Sequence, residues 1–180
     1  LPLVCTLNGA KVTDAVARWL DVDTQQLDAL ALQARPGAGG VVVVPYFDGE
    51  RTPDRPDATG LLTGLRSDVT REQLARAAVE GVVCGLLDGV DALAAAGVAT
   101  NGRVVLVGGG ARSAAFQHVL ADLLGRPVSV PAPGEYVATG ACRAVPRSRS
   151  VMQRPEPAVL LAQLPSRQHA RDHAPCWRVV

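Results

Sequence analysis

The sequence predicts an α/β domain, on three observations. Residues 103–113 read Arg-Val-Val-Leu-Val-Gly-Gly-Gly-Ala-Arg-Ser, an apolar β-branched run that ends in three glycines. An amphipathic segment follows at once, with Phe116, Val119, Leu120, Leu123 and Leu124 on one helical face. Upstream, Val41, Val42, Val43 and Val44 form a continuous run suited to a buried strand, between segments of helical period. Strands alternating with helices imply a mixed or parallel sheet.

In chain order, Val12, Val16, Trp19 and Leu20 have the spacing of a first helix, and residues 24–34 form a second. The run Pro36-Gly37-Ala38-Gly39-Gly40 breaks it before the valine strand. Residues 45–60 are rich in Pro, Asp, Gly and Arg and read as a long loop, a length that usually carries function or motion. Residues 61–65 are a short extended piece. Thr70-Arg71-Glu72-Gln73 fits a capping box and opens a long helix ending near Gly97. Gly81, Gly85 and Gly89 fall on one stripe of that helix. Each costs about 1 kcal/mol of helix stability relative to alanine, so close packing against another backbone is the expected compensation. The strand at Val104, the glycine loop, its helix, a short strand at residues 126–130 and a helix from Glu135 complete the order.

Composition bounds the function. A chain of 180 residues with 48% hydrophobic and 19% charged residues is globular and long enough for one core. Aromatics make up only 3%, so Val, Leu and Ala must fill that core. The net charge of +1 gives no electrostatic case for a nucleic-acid or membrane partner. Cys5, Cys84, Cys142 and Cys176 are far apart and form no C-x-x-C pair, as in a reduced cytoplasmic protein. The apolar start lacks a basic leader and is not expected to be a signal peptide. The long helix carries Glu80, Asp88 and Asp91, which argues against a membrane span. From residue 145 onward the character changes: five prolines, and six arginines against Glu156 and Asp172, give +4, whereas residues 1–144 carry −3. Residues 1–144 are expected to form the domain and 145–180 a poorly ordered tail. His169, His173 and Cys176 in that tail lack a fourth partner for zinc, so no metal ligand is assigned.

The glycine loop lets the backbone take strained angles and lets a ligand approach the main chain. The helix behind it is expected to aim unpaired N–H groups and a positive dipole end at the same place. A dinucleotide-binding fingerprint is a poor match, because Ser113 stands where its last glycine belongs. Asp48, Glu50, Arg51 and Asp54 cluster in the long loop, either bordering a cleft or as a solvated surface with weak ion pairs. Arg112 reads as a surface arginine and His118 as exposed.

Several pieces recur together: Pro45-Tyr46-Phe47-Asp48-Gly49-Glu50-Arg51-Thr52-Pro53, Gly64-Leu65, Glu80-Gly81-Val82, residues 108–113, and Glu135-Tyr136-Val137-Ala138-Thr139-Gly140-Ala141. In order and spacing this set resembles the FGGY family of carbohydrate kinases over about residues 1–143, most closely the carboxy-terminal domain of its pentulose-phosphorylating members. The resemblance implies an actin-like ATPase (ribonuclease H-like) domain, the second half of a two-domain sugar kinase. It implies ATP with Mg²⁺ as cofactor, ATP/ADP as nucleotide partners and D-xylulose as the pentulose, held mainly by the other domain. A homodimer is left open. By the same resemblance, Gly108, Gly109, Gly110 and Ala111 match the family's adenosine-binding motif, and Gly64 lies where the domain also nears the nucleotide. Ala114 falls near a residue that bonds adenine in some relatives, and its side chain cannot do so. The family's catalytic aspartate and phosphate loops lie upstream of the matched part, so no catalytic residue is assigned and the chain alone is expected to be inactive. The alternative is a catalytically inactive orphaned domain or nucleotide-binding fragment. After Ala141 the sequence departs from the family's alanine-rich helix.

Overall fold

The computed structural model describes residues 2–132 and 134–144. Its elements run α1 (Ala10–Trp19), α2 (Thr24–Gln33), β1 (Val42–Val44), β2 (Leu61–Thr63), α3 (Arg71–Ala95), β3 (Val104–Val105), α4 (Ala114–Leu124), β4 (Val128–Ser129) and α5 (Tyr136–Ala144). This is the order the sequence predicts. The proposed tail lies outside the described residues, as do its histidines and Cys176.

Three helices, α2, α3 and α4, start where a side chain satisfies free N–H groups. Asp23 and Gln26 cap α2 reciprocally, and Thr70 and Gln73 do the same for α3. Gly125, with φ of 62°, closes α4 in the left-handed conformation. The centre of the molecule is α3, which packs against α1, α2, α4 and β1. Its buried side chains are almost all small: Ala75, Ala77, Ala78, Val79, Val82 and Val83. Around them sit Val12, Val16, Leu27, Val43, Phe116 and Val119. A core so poor in aromatics closes by bringing backbones together. A Cβ on Gly81 would stand 2.3 Å from the Val43 carbonyl oxygen, so the β1 backbone lies directly against the helix backbone there. A Cβ on Gly89 would stand 2.9 Å from the Val4 side chain, and Gly85 faces the Pro45 ring. The glycine stripe is therefore a packing stripe.

The strands pair in both senses, but as two separate units among the described residues rather than one sheet. β1 and β2 are antiparallel, with Val43 opposite Leu62. β3 and β4 are parallel, with Val104 opposite Val128 and the Leu106 N–H continuing the ladder to the Ser129 carbonyl at 2.9 Å. The expectation of a single mixed or parallel sheet is corrected to this extent. The local run of valines fixes that a strand forms, whereas the neighbour it pairs with is a tertiary matter. No helix among the described residues is long and apolar enough to cross a membrane.

Candidate functional site

β3 leads through Val107 into the glycine loop. Gly108 has φ of 96° and ψ of −169°, a region open essentially to glycine alone. A 3₁₀ turn over Gly109–Arg112 follows, and Ser113 then caps α4. Gly108, Gly109 and Gly110 are exposed, and a Cβ added at any of them meets no atom within 4 Å. Ala111 is buried, and its carbonyl accepts the Gln117 side-chain amide at 2.7 Å. The loop is thus anchored on its inner side and presents bare backbone outward. Gly109 and Gly110 do not have positive φ, so the strained angle belongs to Gly108 alone.

The N-terminal end of α4 differs from expectation. It is filled by the carboxylate of Asp28 from α2. Oδ2 accepts the Ala114 N–H at 3.0 Å, and Oδ1 accepts the Ala115 N–H at 3.1 Å together with the Ser113 hydroxyl. The Ser113 Oγ accepts the Phe116 N–H at 2.9 Å. The first N–H groups and the positive dipole end are therefore occupied by a protein anion. They are not aimed at a ligand, as the sequence suggested. What the site offers is the outer backbone of residues 108–110. No local pattern could have found Asp28, which precedes Ser113 by 85 positions.

Gly64 follows β2 with φ of 76°, and its Cβ would lie 2.0 Å from the Gly40 carbonyl oxygen. Glycine is required there by the crossing of two chain segments. Gly64 and the 108–111 loop belong to different strand pairs.

The long loop splits in role. Glu50 is only 2% exposed. Its carboxylate accepts the N–H groups of Leu7 and Arg51, both at 2.7 Å, and the Asn8 side-chain amide at 2.8 Å. Burial pushes its acidity down, but the hydrogen bonds from Asn8, Leu7, Arg51 and Thr52 prevail and hold its pKa below the ordinary value. Glu50 thus ties the loop to the N-terminal segment and is neither solvated nor free for a ligand. Asp48, Arg51 and Asp54 are exposed, and Asp48 pairs with Lys11 at 3.1 Å. Arg112 is exposed, and His118 is half-buried rather than exposed.

Two grooves lie away from the glycine loop. One, of about 470 Å³, runs beside Trp19, whose ring stacks on Phe47 with centroids 5.5 Å apart. The other, of about 290 Å³, is lined by residues of β1 and α3 together with Tyr46 and Asp88. Burial and the neighbouring Asp91 raise the pKa of Asp88; burial and Asp88 raise that of Tyr46. No group of three or more His, Cys, Asp or Glu residues suited to a metal ion occurs among the described residues.

Residues 6–145 match the model of the FGGY family of carbohydrate kinases, C-terminal domain. The chain is 43% identical over 141 residues to the xylulose kinase of Streptomyces coelicolor, covering 78% of this chain and 28% of that protein. It is 37% identical over 129 residues to the xylulose kinase of Haemophilus influenzae, covering 71% of this chain and 26% of that one. The crystal structure of xylulose kinase from Bifidobacterium adolescentis superposes with a TM-score of 0.72 at 46% identity, covering 79% of this chain and 28% of that one. The chain thus spans little more than a quarter of the length of these relatives. On the family match over residues 6–145 and the identity to these relatives, the chain belongs to the FGGY family of carbohydrate kinases, as a C-terminal domain.

Proposed function

We propose that this chain is the nucleotide-binding portion of an ATP-dependent pentulose kinase that converts D-xylulose to D-xylulose 5-phosphate in the cytoplasm, built on the actin-like, ribonuclease H-like fold. The observation that carries this reading is the bare outward backbone of Gly108, Gly109 and Gly110 between β3 and α4, with open space where side chains would stand. Such a surface suits a flat ligand lying against the main chain. The Asp28 carboxylate at the α4 N-terminus makes that end unsuitable for phosphates, so the loop faces the nucleoside part of ATP or ADP. The bare backbone of Gly108, Gly109 and Gly110 forms the contact surface, the buried Ala111 anchors it from the inner side, and Gly64, on the other strand pair, is the further candidate for nucleotide contact. The one acidic group placed at the loop, Asp28, has both carboxylate oxygens engaged by Ser113, Ala114 and Ala115, and no cluster of three or more metal-type side chains occurs among the described residues, so no Mg²⁺ ligand is assigned to them.

Phosphoryl transfer rests on positioning the phosphates and neutralising their charge. General-base help contributes about 10²–10⁴-fold, and alignment of reactants can contribute more. No base or phosphate site is assigned among the described residues, so the chain by itself is expected to bind nucleotide weakly and not to turn over sugar. A coupled ADP-release assay with and without D-xylulose tests this. Absence of sugar-dependent turnover is the expected result. Turnover abolished by Gly109→Val would contradict it. Restored turnover on adding the N-terminal domain of a related kinase would separate this reading from that of an orphaned, inactive domain.

A further inference from the structure

Asp28 follows Leu27, a core residue of α2, and is itself half-buried. It is 85 positions from Ser113 in the chain, yet both of its carboxylate oxygens are engaged at the junction of glycine loop and α4. The other ties of the loop run within residues 108–117: Ala111 N–H to Gly108 carbonyl at 3.2 Å, Ser113 N–H to Gly110 carbonyl at 3.1 Å, and the Gln117 amide to the Ala111 carbonyl. These bonds shape the loop and tie it to α4, the helix it leads into, but not to a part of the fold distant in sequence. Asp28 does, because α2 packs against both α3 and α4. A charged acceptor holding two N–H donors and a hydroxyl at a helix N-terminus is a strong and directional tie.

We propose that Asp28 is a positioning residue for nucleotide: acting through Ser113 and the first turn of α4, it sets where the backbone of residues 108–110 stands. It does so without touching the ligand. The inference rests on the reading of that loop as the nucleotide surface. The test compares Asp28→Asn, Asp28→Ala and a core control, Val16→Ala, in the full 180-residue chain. Val16 is buried on α1, away from the loop, and its truncation lowers stability without touching the tie. Amide chemical shifts of residues 108–110 and hydrogen exchange at Ala114 and Ala115 are read without ligand. ADP affinity is read by titration.

Asp28→Ala is expected to move the loop shifts, to speed exchange at Ala114 and Ala115 about tenfold, and to weaken ADP several-fold. Asp28→Asn retains one accepting oxygen and falls between wild type and alanine. Val16→Ala lowers the melting temperature but leaves loop shifts and ADP affinity unchanged. Loop shifts that stay at wild-type values in both Asp28 variants overturn the proposal, as does an ADP loss matched by Val16→Ala. If wild type itself fails to bind ADP, the nucleotide reading fails for this chain, and the ligand-free shifts still decide whether Asp28 positions the loop. If Asp28→Ala does not fold, Asp28→Asn carries the same comparison.

Discussion

Gly108 and Gly109 are adjacent glycines with different reasons to be glycine. At Gly108 the backbone sits where any side chain is strained, so Gly108→Ala is expected to destabilise the fold by about 1–3 kcal/mol in urea titrations. At Gly109 the angle is ordinary and the space is open, so Gly109→Ala should change stability by no more than about 0.5 kcal/mol. Any loss of nucleotide affinity in that variant therefore reports contact with the ligand rather than a damaged fold. Glu50 makes a second prediction. Its pKa is lowered on folding, so its contribution is fully present above the ordinary value of 4.5 and is lost as pH falls below it through the folded value. Glu50→Gln exchanges one acceptor for a donor facing other donors and should cost about 1–3 kcal/mol at pH 7. The gap between wild type and variant should narrow as pH falls below that value; a gap that widens there contradicts the assignment.

Among the elements, the glycine stripe of α3 gives opposite signs at two positions one turn apart. Gly81→Ala gains helix propensity but drives a Cβ to 2.3 Å from the Val43 carbonyl oxygen, and the net effect should be destabilising. Gly85→Ala meets Pro45 at 3.5 Å, an ordinary contact, and should stabilise by up to about 1 kcal/mol. Thermal melts of the two variants check this directly. The elements themselves were legible because their signals are local. Thr70 and Gln73 announce the start of α3 within four residues, and the valine run marks β1. The packing sense of the glycine stripe was also legible, since repeated glycines in a helix need a close neighbour. The partition into two strand pairs was not, because hydrogen-bond partners of Val104 and Val42 lie far along the chain and no short pattern encodes them. The same distance hid Asp28. The α4 N-terminus read as an open anion site because the residue that fills it belongs to another helix. Glu50 likewise read as a cleft or surface acid rather than a buried one, as its partners Leu7 and Asn8 are more than forty positions away.

At the scale of the whole molecule, α3 organises α1, α2, α4 and β1 into one core, and β3 delivers the glycine loop at its edge. The division at residue 144 is a proposal drawn from composition; deleting residues 146–180 should leave the melting temperature within a few degrees, and a large drop would show that the segment belongs to the fold. The central claim is that the backbone of residues 108–110 meets nucleotide. Titration of the isotopically labelled chain with ADP, followed amide by amide, tests it most directly. The account predicts that amides of residues 108–113 shift first and together, with the groove beside Trp19 and the groove lined by β1 and α3 unaffected. Shifts confined to those grooves or to the arginine-rich segment beyond residue 144, with residues 108–113 unmoved, would contradict it.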